Sequence, residues 1–547
     1  MATALLGCTT ASAQTPPTPT HTFQPAGASG TFGTAGNWSP GLPGAANDVL
    51  IADGKTANGM TQTEANTLFG SLTLGVGSTL NLAASNTTGL AANSVLYFNN
   101  GSQLNYTSGG TNRANTYNIV SGATVGMHLG QGGSDSLPQG TMVGGSNTVV
   151  NMTAANLLNM RLNAGSFNGT LNHRTNVANN ARAVNYGNAG NSFGSGTLNI
   201  DTFVRVTGSK SNLINDSGTL QLTGSSGGAS NVKFDMGAST DTIGGLTIDT
   251  PIGATASAPT YRGSNTLTVS GTTTFQGTAG DVNFDSSNGT PSSHNLITTG
   301  NMTFGGTGTW AVSGDGRIRL NAASGTRTIT TNTNASISST LVGTQGFTKA
   351  GTGTLTLTGD LTNLNTSGDI TLSAGQLFFN GATNLSRNVA VTGNAQLRST
   401  VTIPGISIST GGTLNIGTAT AVETLTASAF SVASTGTAIS FQYSGNGVND
   451  QIIAPTLNLT GVAAGGITIN GTSLGGYDAQ VGDIFTLFSG TVTGFDVSKF
   501  VLNMPVLTGG NTWKIQEGSL QLVVIPEPSG ILLSGIALMG LILRRRR

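Results

Sequence analysis

The stretch Gly353-Thr354-Leu355-Thr356-Leu357 contains the pattern that is most informative about the fold of this chain. A glycine that suits a turn is followed by residues that alternate between polar and apolar. Successive side chains of a β-strand point to opposite faces, so we expect Leu355 and Leu357 to face a core while Thr356 faces solvent. The stretch therefore predicts a turn followed by a short strand with one buried face.

The same pattern of glycine, Ser or Thr, and Leu-x-Leu or Leu-x-Ile recurs along the chain. It occurs at residues 70–74, 196–200, 218–222, 353–357, 412–416 and 518–522, with close variants at 245–248 and 265–269. One strand of about five residues cannot bury enough apolar surface alone, so repeats of this kind have to stack on one another. No long stretch before the C-terminal tail has a convincing helical periodicity.

The composition is typical of a long all-β protein with many turns. The chain contains 82 glycines among 547 residues, and 37% of the residues are hydrophobic. A series of β-sandwiches and a right-handed parallel β-helix (a solenoid) both satisfy short stacked strands. We favour the β-helix over residues 23–425, because no break in composition interrupts this length and because Asn, Ser and Thr at turns can stack in ladders.

The charge balance argues against a nucleic-acid partner. With the four terminal arginines set aside, 17 basic and 21 acidic residues remain, whereas a nucleic-acid binder needs a basic face for phosphate contacts. We therefore expect no nucleic acid among the partners.

Residue patterns that would carry catalysis or bind a metal are missing from the sequence. The four histidines, His21, His128, His173 and His294, have no metal-ligand spacing. We also find no nucleophile elbow, phosphate loop or zinc motif. The sequence predicts no catalytic residue, no metal and no cofactor. A β-helix enzyme that binds or degrades polysaccharide stays the alternative, since acidic side chains from neighbouring turns of a solenoid could converge.

The N-terminal residues 1–22 are interpreted as a truncated signal peptide followed by a Pro/Thr linker. Ala11-Ser12-Ala13 is a small-x-small site, so Ala11 and Ala13 predict cleavage by signal peptidase after Ala13. A competing interpretation is a lipobox, Leu5-Leu6-Gly7-Cys8, which would lipidate Cys8. Because Cys8 is the single cysteine, the mature protein would contain no disulfide.

The C-terminal residues 524–547 form a tail of three parts. Pro526-Glu527-Pro528 precedes an apolar run at 531–543, and Arg544, Arg545, Arg546 and Arg547 end the chain. Terminal arginines stay on the cytoplasmic side of a membrane. A helix over 529–543 would be about 22 Å long, short against a bilayer core of about 30 Å. The tail predicts a single short transmembrane helix and transient anchoring in the inner membrane.

This tail resembles the PEP-CTERM sorting signal. Pro526, Glu527 and Pro528 occupy the place of its name-giving motif, and the apolar run and basic terminus follow in the same order. The resemblance implies that an exosortase, a membrane-bound transpeptidase-like protease, recognises and cuts the tail. Such cargo is released or moved to the cell surface, commonly in bacteria that make exopolysaccharide. An ordinary C-terminal anchor with an incidental Pro-Glu-Pro is the alternative.

Residues 346–359 and 368–377 resemble the autotransporter-associated β-strand repeat. Gly-Phe-Thr-Lys-Ala-Gly-Thr-Gly-Thr-Leu-Thr-Leu-Thr-Gly is followed by a second strand with a Gly-x-Leu ending at Gly375-Gln376-Leu377. The resemblance implies a passenger-type β-helix on the cell surface and no catalytic residue. We expect the apolar residues Leu355, Leu357, Leu372 and Leu377 to point inward.

Both ends of the expected solenoid carry distinct sequences. Residues 36–44 look like the opening cap of surface β-helices, in which Trp38 would plug the end of the core. The alternative, more specific interpretation is that Trp38 stacks against carbohydrate. Residues 426–523 are expected to form a C-terminal β cap, with antiparallel strands as our interpretation.

These features together predict an exported structural or adhesive β-helix that is sorted through the C-terminal tail. We expect it transiently in the inner membrane and then on the cell surface or outside the cell. Exosortase is the expected processing partner, and exopolysaccharide or biofilm matrix is the expected associated material.

Overall fold

The computed structural model describes a chain of two compact units, Met1–Asn321 and Ala322–Arg547. The residues described are 15–83, 90–106, 114–129, 139–154, 158–175, 184–186, 193–201, 203–206, 213–223, 233–250, 260–278, 280–286, 295–320, 327–361, 364–382, 385–418, 420–516, 520–526, 539 and 544. The expected signal-peptidase site, Cys8, Glu527, Pro528 and Arg545 to Arg547 lie outside them.

The first unit consists of parallel strands in two long sheets and one short sheet. Sheet A contains His21–Phe23, Asp48–Ile51, Ser71–Leu74, Val95–Phe98, Ala114–Ile119, Gln139–Gly144, Leu158–Phe167, Val184–Tyr186, Phe203–Val206, Lys233–Asp235, Thr260–Gly263, Asp281–Ser286 and Thr309–Ser313. Sheet B contains Ser29–Thr31, Thr56–Met60, Thr79–Leu82, Gln103–Tyr106, Thr124–Leu129, Val149–Ala154, Thr170–Thr175, Thr197–Ile200, Thr219–Thr223, Gly245–Thr250, Thr273–Gly277 and Met302–Phe304. Sheet C contains Asp241–Ile243, Leu267–Val269, Asn295–Thr299 and Arg317–Leu320.

The chain alternates between sheets A and B, and from Asp241–Ile243 onward each circuit also adds a strand to sheet C. Each such circuit is called a coil below. Neighbouring strands within a sheet pair in parallel, as His21 with Val49 and Val49 with Leu72 in sheet A. This is the arrangement of a parallel β-helix, and it confirms the expected all-β fold. The right-handed sense of the coil stays a prediction from the general rule for parallel crossovers.

Glycines at matching positions turn the chain into successive strands of sheet B. Gly77, Gly101 and Gly122 have φ of 66°, 74° and 76°, and each lies two residues before a strand. A side chain is strained in this left-handed region, so glycine is favoured at these turns.

Asparagines link neighbouring coils both at turns, where Ser195 Oγ donates to Asn168 Oδ1 at 2.8 Å, and in ladders on the outward face of sheet B. Asn81 Nδ2 donates to Asn58 Oδ1 at 2.6 Å, and Asn105 Nδ2 donates to Asn81 Oδ1 at 2.7 Å. A second ladder joins Asn172 to Asn151 at 2.9 Å. Each amide therefore links one coil to the next.

The second unit repeats this arrangement. Sheet D contains Arg327–Thr331, Phe347–Ala350, Ile370–Leu372, Val389–Val391, Ile406–Ile408, Thr424–Thr426, Phe430–Val432, Gln451–Asn458 and Phe488–Thr493. Sheet E contains Asn334–Ile337, Thr354–Leu357, Gly375–Phe379, Asn394–Ser399, Thr413–Ile416, Thr437–Gly445, Ile467–Ser473 and Phe500–Asn503, with the short antiparallel strand Val448–Asn449 on Thr437–Gly445. Sheet F contains Leu341–Gln345 and Leu364–Ser367.

The inward positions predicted from the repeat are confirmed. Leu355, Leu357, Leu372 and Leu377 are all 0% exposed. The recurring motif, however, lies in different sheets: residues 71–74 are in sheet A, 197–200 in sheet B and 354–357 in sheet E. Its irregular spacing along the sequence follows from this change of sheet.

Short helices and an antiparallel strand lie near the start of the first unit. They are the 3₁₀-helix Ala35–Asn37, the strand Trp38–Ser39 and the α-helix Gln62–Ala65. Trp38 is 7% exposed, and its ring lies 5.1 Å from Phe23 and 4.8 Å from Phe32 between centroids. Trp38 Nε1 donates to the Phe32 carbonyl at 2.6 Å. The buried ring favours the packing role over carbohydrate stacking.

Both parallel and antiparallel strands occur within the expected cap, residues 426–523. Parallel pairing continues to Phe500–Asn503. A separate three-stranded antiparallel sheet, the cap sheet, contains Ile484–Thr486, Thr512–Ile515 and Gln521–Ile525. The 3₁₀-helices Val497–Lys499 and Thr508–Gly510 complete the unit.

No helix within the described part of the chain has the length and apolar character needed to cross a membrane. The expected transmembrane helix falls on residues 529–543, which lie outside the described residues except for the single residue Met539.

Candidate functional sites

A polar groove of about 530 Å³ lies on the outward face of sheet B. It spans the three successive strands Gln103–Tyr106, Thr124–Leu129 and Val149–Ala154. The lining residues are Gly101, Gln103, Asn105, Thr124, Val125, Gly126, Met127, His128, Asn151 and Thr153. Val125 and Met127 are buried beneath it, while the polar side chains are half-buried or exposed.

Gly126 opens this groove. The strand register places it between Gln103 and Asn151, which carry long amide side chains on either side. Its φ is not in the left-handed region and it lies inside a strand, so no turn requires glycine here. A Cβ at this position would lie 3.3 Å from Gln103 Cγ. The missing side chain therefore leaves a gap in an otherwise continuous column.

Neighbouring coils hold the polar groups of the groove in place. His128 Nδ1 lies 2.8 Å from Thr153 Oγ1, and Asn151 Oδ1 accepts from Asn172 Nδ2 at 2.9 Å. No Asp, Glu, Lys or Arg is among the residues that line the groove. Fixed amide and hydroxyl groups without charge can match the hydroxyls of a neutral carbohydrate. The sequence prediction missed this site, and the only signal for it was a glycine inside a strand where no turn is needed.

Glu423 and Asp450 in the second unit are a candidate for the acidic pair that a polysaccharide-degrading enzyme would require. Asp450 is 0% exposed, and burial raises the pKa of its carboxyl to about 7. Its two oxygens accept the backbone N–H groups of Glu423 at 2.6 Å and Gln442 at 2.7 Å. Glu423 in turn accepts from Arg398 Nε at 2.8 Å. Through these hydrogen bonds the two carboxylates hold the local backbone in place. Asp450 is not exposed to solvent, so a polymer could not reach it.

Elsewhere among the described residues, Asp235 and Asp241 lie near the buried Tyr261, and burial together with these two carboxylates raises the pKa of its phenol. No group of three or more His, Cys, Asp or Glu that could hold a metal occurs in the described part of the chain. His173 is 2% exposed and lies in register with the core residues Met152 and Ile200. Burial lowers the pKa of its imidazole to about 4. His128 lines the groove, His21 begins sheet A, and His294 lies outside the described residues.

The sorting tail leaves the fold from the middle strand of the cap sheet. Gln521–Ile525 pairs antiparallel with Ile484–Thr486 on one side and Thr512–Ile515 on the other. Leu522 and Val524 are each 2% exposed. The exposed Pro526 follows at once, and a proline cannot donate a hydrogen bond to continue the strand. The pairing therefore ends where the expected recognition motif begins.

Aromatic side chains pack around the base of this junction. The ring of Trp513 lies 5.3 Å from Tyr443 and 5.6 Å from Phe485, and those two rings are 5.1 Å apart. Trp513 Nε1 donates to the Pro505 carbonyl at 2.9 Å. The tail is thus attached to a well-packed sheet.

Comparison with known proteins identifies the tail. Residues 524–547 match the family model of the PEP-CTERM protein-sorting motif, so the resemblance predicted from Pro526, Glu527 and Pro528 is confirmed. In general, this motif implies processing by an exosortase.

Two proteins are similar to larger parts of the chain. The adhesin BmaC autotransporter of Brucella suis biovar 1 (strain 1330) is 38% identical over 151 residues, which are 27% of this chain and 4% of that protein. The chain therefore matches only a small part of the length of this relative. The expected likeness to autotransporter passengers is confirmed by this match. The crystal structure of the Haemophilus influenzae Hap adhesin aligns with 87% of this chain and 64% of its own, at 12% identity and a TM-score of 0.27.

Proposed function

We propose that this chain is an exported cell-surface protein of structural or adhesive type, delivered through exosortase processing of its C-terminal tail. The observation that carries the proposal is the PEP-CTERM motif at residues 524–547, attached directly to the last strand of a folded β-solenoid unit. The similarity to an autotransporter adhesin supports the adhesive role. During sorting the tail holds the protein transiently in the inner membrane, and the cut releases the folded part for the surface.

We further propose that the polar groove around Gly126 binds a neutral segment of extracellular polysaccharide. Three successive coils present amides, hydroxyls and one imidazole there, and the gap at Gly126 provides space for a sugar ring. Parallel strands repeat every ~4.8 Å, so the array offers regularly spaced hydrogen-bonding groups to a polymer with a repeating structure.

The sorting proposal is tested by changing the motif. In the variant Pro526→Ala, Glu527→Ala, Pro528→Ala we expect full-length protein to accumulate in the inner membrane. Mass spectrometry of both termini from fractionated cells measures this directly. A matched variant, in which Arg544 to Arg547 become serines, separates recognition from anchoring because it keeps the motif. If the alanine variant is still trimmed and reaches the surface, the tail is only an anchor and the proposal is wrong.

The groove proposal is tested by filling the gap. Gly126→Gln continues the column of amides, and we expect it to weaken binding to a neutral glucan or galactan at least about tenfold, which corresponds to about 1.4 kcal/mol. The control Thr274→Gln adds the same side chain to the same face of sheet B away from the groove. Equal binding by both variants and the parent would exclude the groove as the binding site.

A further inference from the structure

The outward face of the cap sheet carries aliphatic side chains beside Thr512 and Lys514 at the end where the tail leaves. The register aligns Ile484, Val523 and Lys514 in one row across its three strands. Ile484 is 44% exposed, whereas the next residue on its strand, Phe485, points inward and is 1% exposed. Ile525, the last residue of the middle strand, is half-buried on the same outward face.

Two further valines extend this apolar surface. Val448 is 47% exposed, and it lies on the short strand that packs beside Ile484–Thr486. Val481 is 52% exposed, and the N–H of the following Gly482 donates to the Val524 carbonyl at 3.1 Å. We call these five residues the cap patch: Val448, Val481, Ile484, Val523 and Ile525. Exposed branched aliphatic residues that lie together commonly mark an interaction surface.

The chain between the cap patch and the apolar run of the tail is short. It limits how far the patch can lie from a bilayer that the apolar run enters. Ile525 immediately precedes Pro526, and the apolar run of the tail begins at Ile531. The intervening residues 526–530 span at most about 20 Å even when fully extended. Whenever the apolar run enters a bilayer, the cap patch is therefore held close to that bilayer.

The charges near the patch also fit a lipid surface. Lys514 lies on the same face and is exposed, and a lysine beside a membrane is attracted to anionic headgroups. Asp483, which precedes Ile484, is turned inward, where Oδ2 accepts from Tyr477 Oη at 2.7 Å and from the Gln480 N–H at 2.8 Å. Glu527 follows two residues after Ile525, within the motif itself.

We propose that the cap patch docks on the interface of the bilayer while the tail is still attached. This inference rests on the proposed sorting function. Shallow burial of the five aliphatic side chains would hold the cap sheet against the membrane, which keeps Pro526, where the motif begins, close to its surface. A membrane-bound protease then meets the motif in one orientation. A patch of this size gives only weak interfacial binding by itself, so the protein leaves the membrane after the cut.

The test uses the full-length chain with Cys8→Ser and one environment-sensitive dye. One protein carries the dye at Ile484→Cys, and the control carries it at Val76→Cys, which is 52% exposed but lies in the first unit. Both are bound to vesicles of phosphatidylethanolamine and phosphatidylglycerol, and the bound protein is isolated by flotation. We expect the dye at position 484 to show blue-shifted emission and several-fold weaker quenching by iodide, with no change at position 76.

The two proposals fail in different ways. If the protein does not float with the vesicles, membrane anchoring by the tail is wrong and docking of the patch falls with it. If the protein floats but the dye at position 484 is quenched as strongly as at position 76, only the docking proposal is overturned.

A second variant distinguishes a bilayer from a protein partner. We expect Val481→Ser with Ile484→Ser to keep flotation through the tail but to slow tail removal in cells several-fold. Unchanged near-ultraviolet circular dichroism from Tyr443, Phe485 and Trp513 checks that the cap sheet still folds. Slow processing together with a water-exposed dye in vesicles would mean that the patch contacts a protein, and the bilayer proposal would be wrong.

Discussion

Lys349 Nζ lies 3.0 Å from the carbonyl oxygen of Ala374, a residue of the next coil. The same ammonium donates to the carbonyls of Ala350 at 2.9 Å and Gly351 at 3.0 Å. The side chain is 0% exposed, and burial lowers the pKa of its amine to about 8. Three carbonyl oxygens thus use the three donors of a buried lysine, which ties the turns of two coils together.

Replacing this lysine should destabilise the second unit. Lys349→Met removes a charged donor from three buried carbonyls, and we expect a loss of about 1–3 kcal/mol in the free energy of unfolding. Urea unfolding followed by circular dichroism measures the loss. The exposed Lys514→Met serves as the matched control and should unfold like the parent. A Lys349→Met protein as stable as that control would show that the contacts contribute no net stability.

The two faces of the strand Thr354–Leu357 should respond differently to charge. Leu355→Asp places an unpaired carboxylate in the core, and we expect it to cost on the order of 3–5 kcal/mol. Thr356→Asp, on the half-buried outward face of the same strand, should cost no more than about 0.5 kcal/mol. Thermal melts of both variants test which face of this strand is buried. Equal melting temperatures would mean that the assignment of Leu355 to the core is wrong.

The buried His173 should make the first unit sensitive to acid. Its pKa is lowered from 6.5 to about 4, so below pH 6.5 the unfolded chain binds a proton that the folded chain does not. The contribution of His173 to the free energy of unfolding should therefore decrease as the pH falls from 6.5 to 4, by up to about 3 kcal/mol. Asp241 contributes in the opposite direction, because burial raises the pKa of its carboxyl to about 6, so the comparison between parent and variant isolates the histidine. We expect His173→Met, which matches the neighbouring Met152, to remove most of the histidine's contribution to the slope. His21→Gln should leave it unchanged, and an identical slope in parent and His173→Met would contradict the assignment.

Binding to polysaccharide should depend little on salt. The chain outside the terminal arginines has more acidic than basic residues, and no charged side chain lines the groove. We expect weak binding to alginate or DNA, without the steep loss of affinity with rising salt that phosphate contacts produce. A pull-down at increasing sodium chloride measures this. A steep dependence would place the binding surface on a basic patch and not at the groove.

The local structure of the strands and the sorting signal could both be predicted from the sequence. The alternation in Gly353-Thr354-Leu355-Thr356-Leu357 predicted an inward Leu355, because the side-chain period of a strand follows from covalent geometry alone. The tail could also be predicted from the sequence, because its parts are contiguous and each acts through its own chemistry. These parts are prolines that block strand pairing, an apolar run and terminal arginines.

The contacts between residues of different coils could not be predicted from the sequence, because they depend on how the coils stack. Gly126 became a gap because the register places it between Gln103 and Asn151, and the same motif at 71–74 and 197–200 lies in different sheets. The partners of Lys349 and the alignment of Ile484 with Val523 likewise depend on pairing between distant segments. The lengths of the intervening loops set this register, and those loops vary from coil to coil without a pattern that the sequence reveals. The face of a strand on which a residue lies depends on the local sequence. A surface built from several coils depends on how those coils stack on one another.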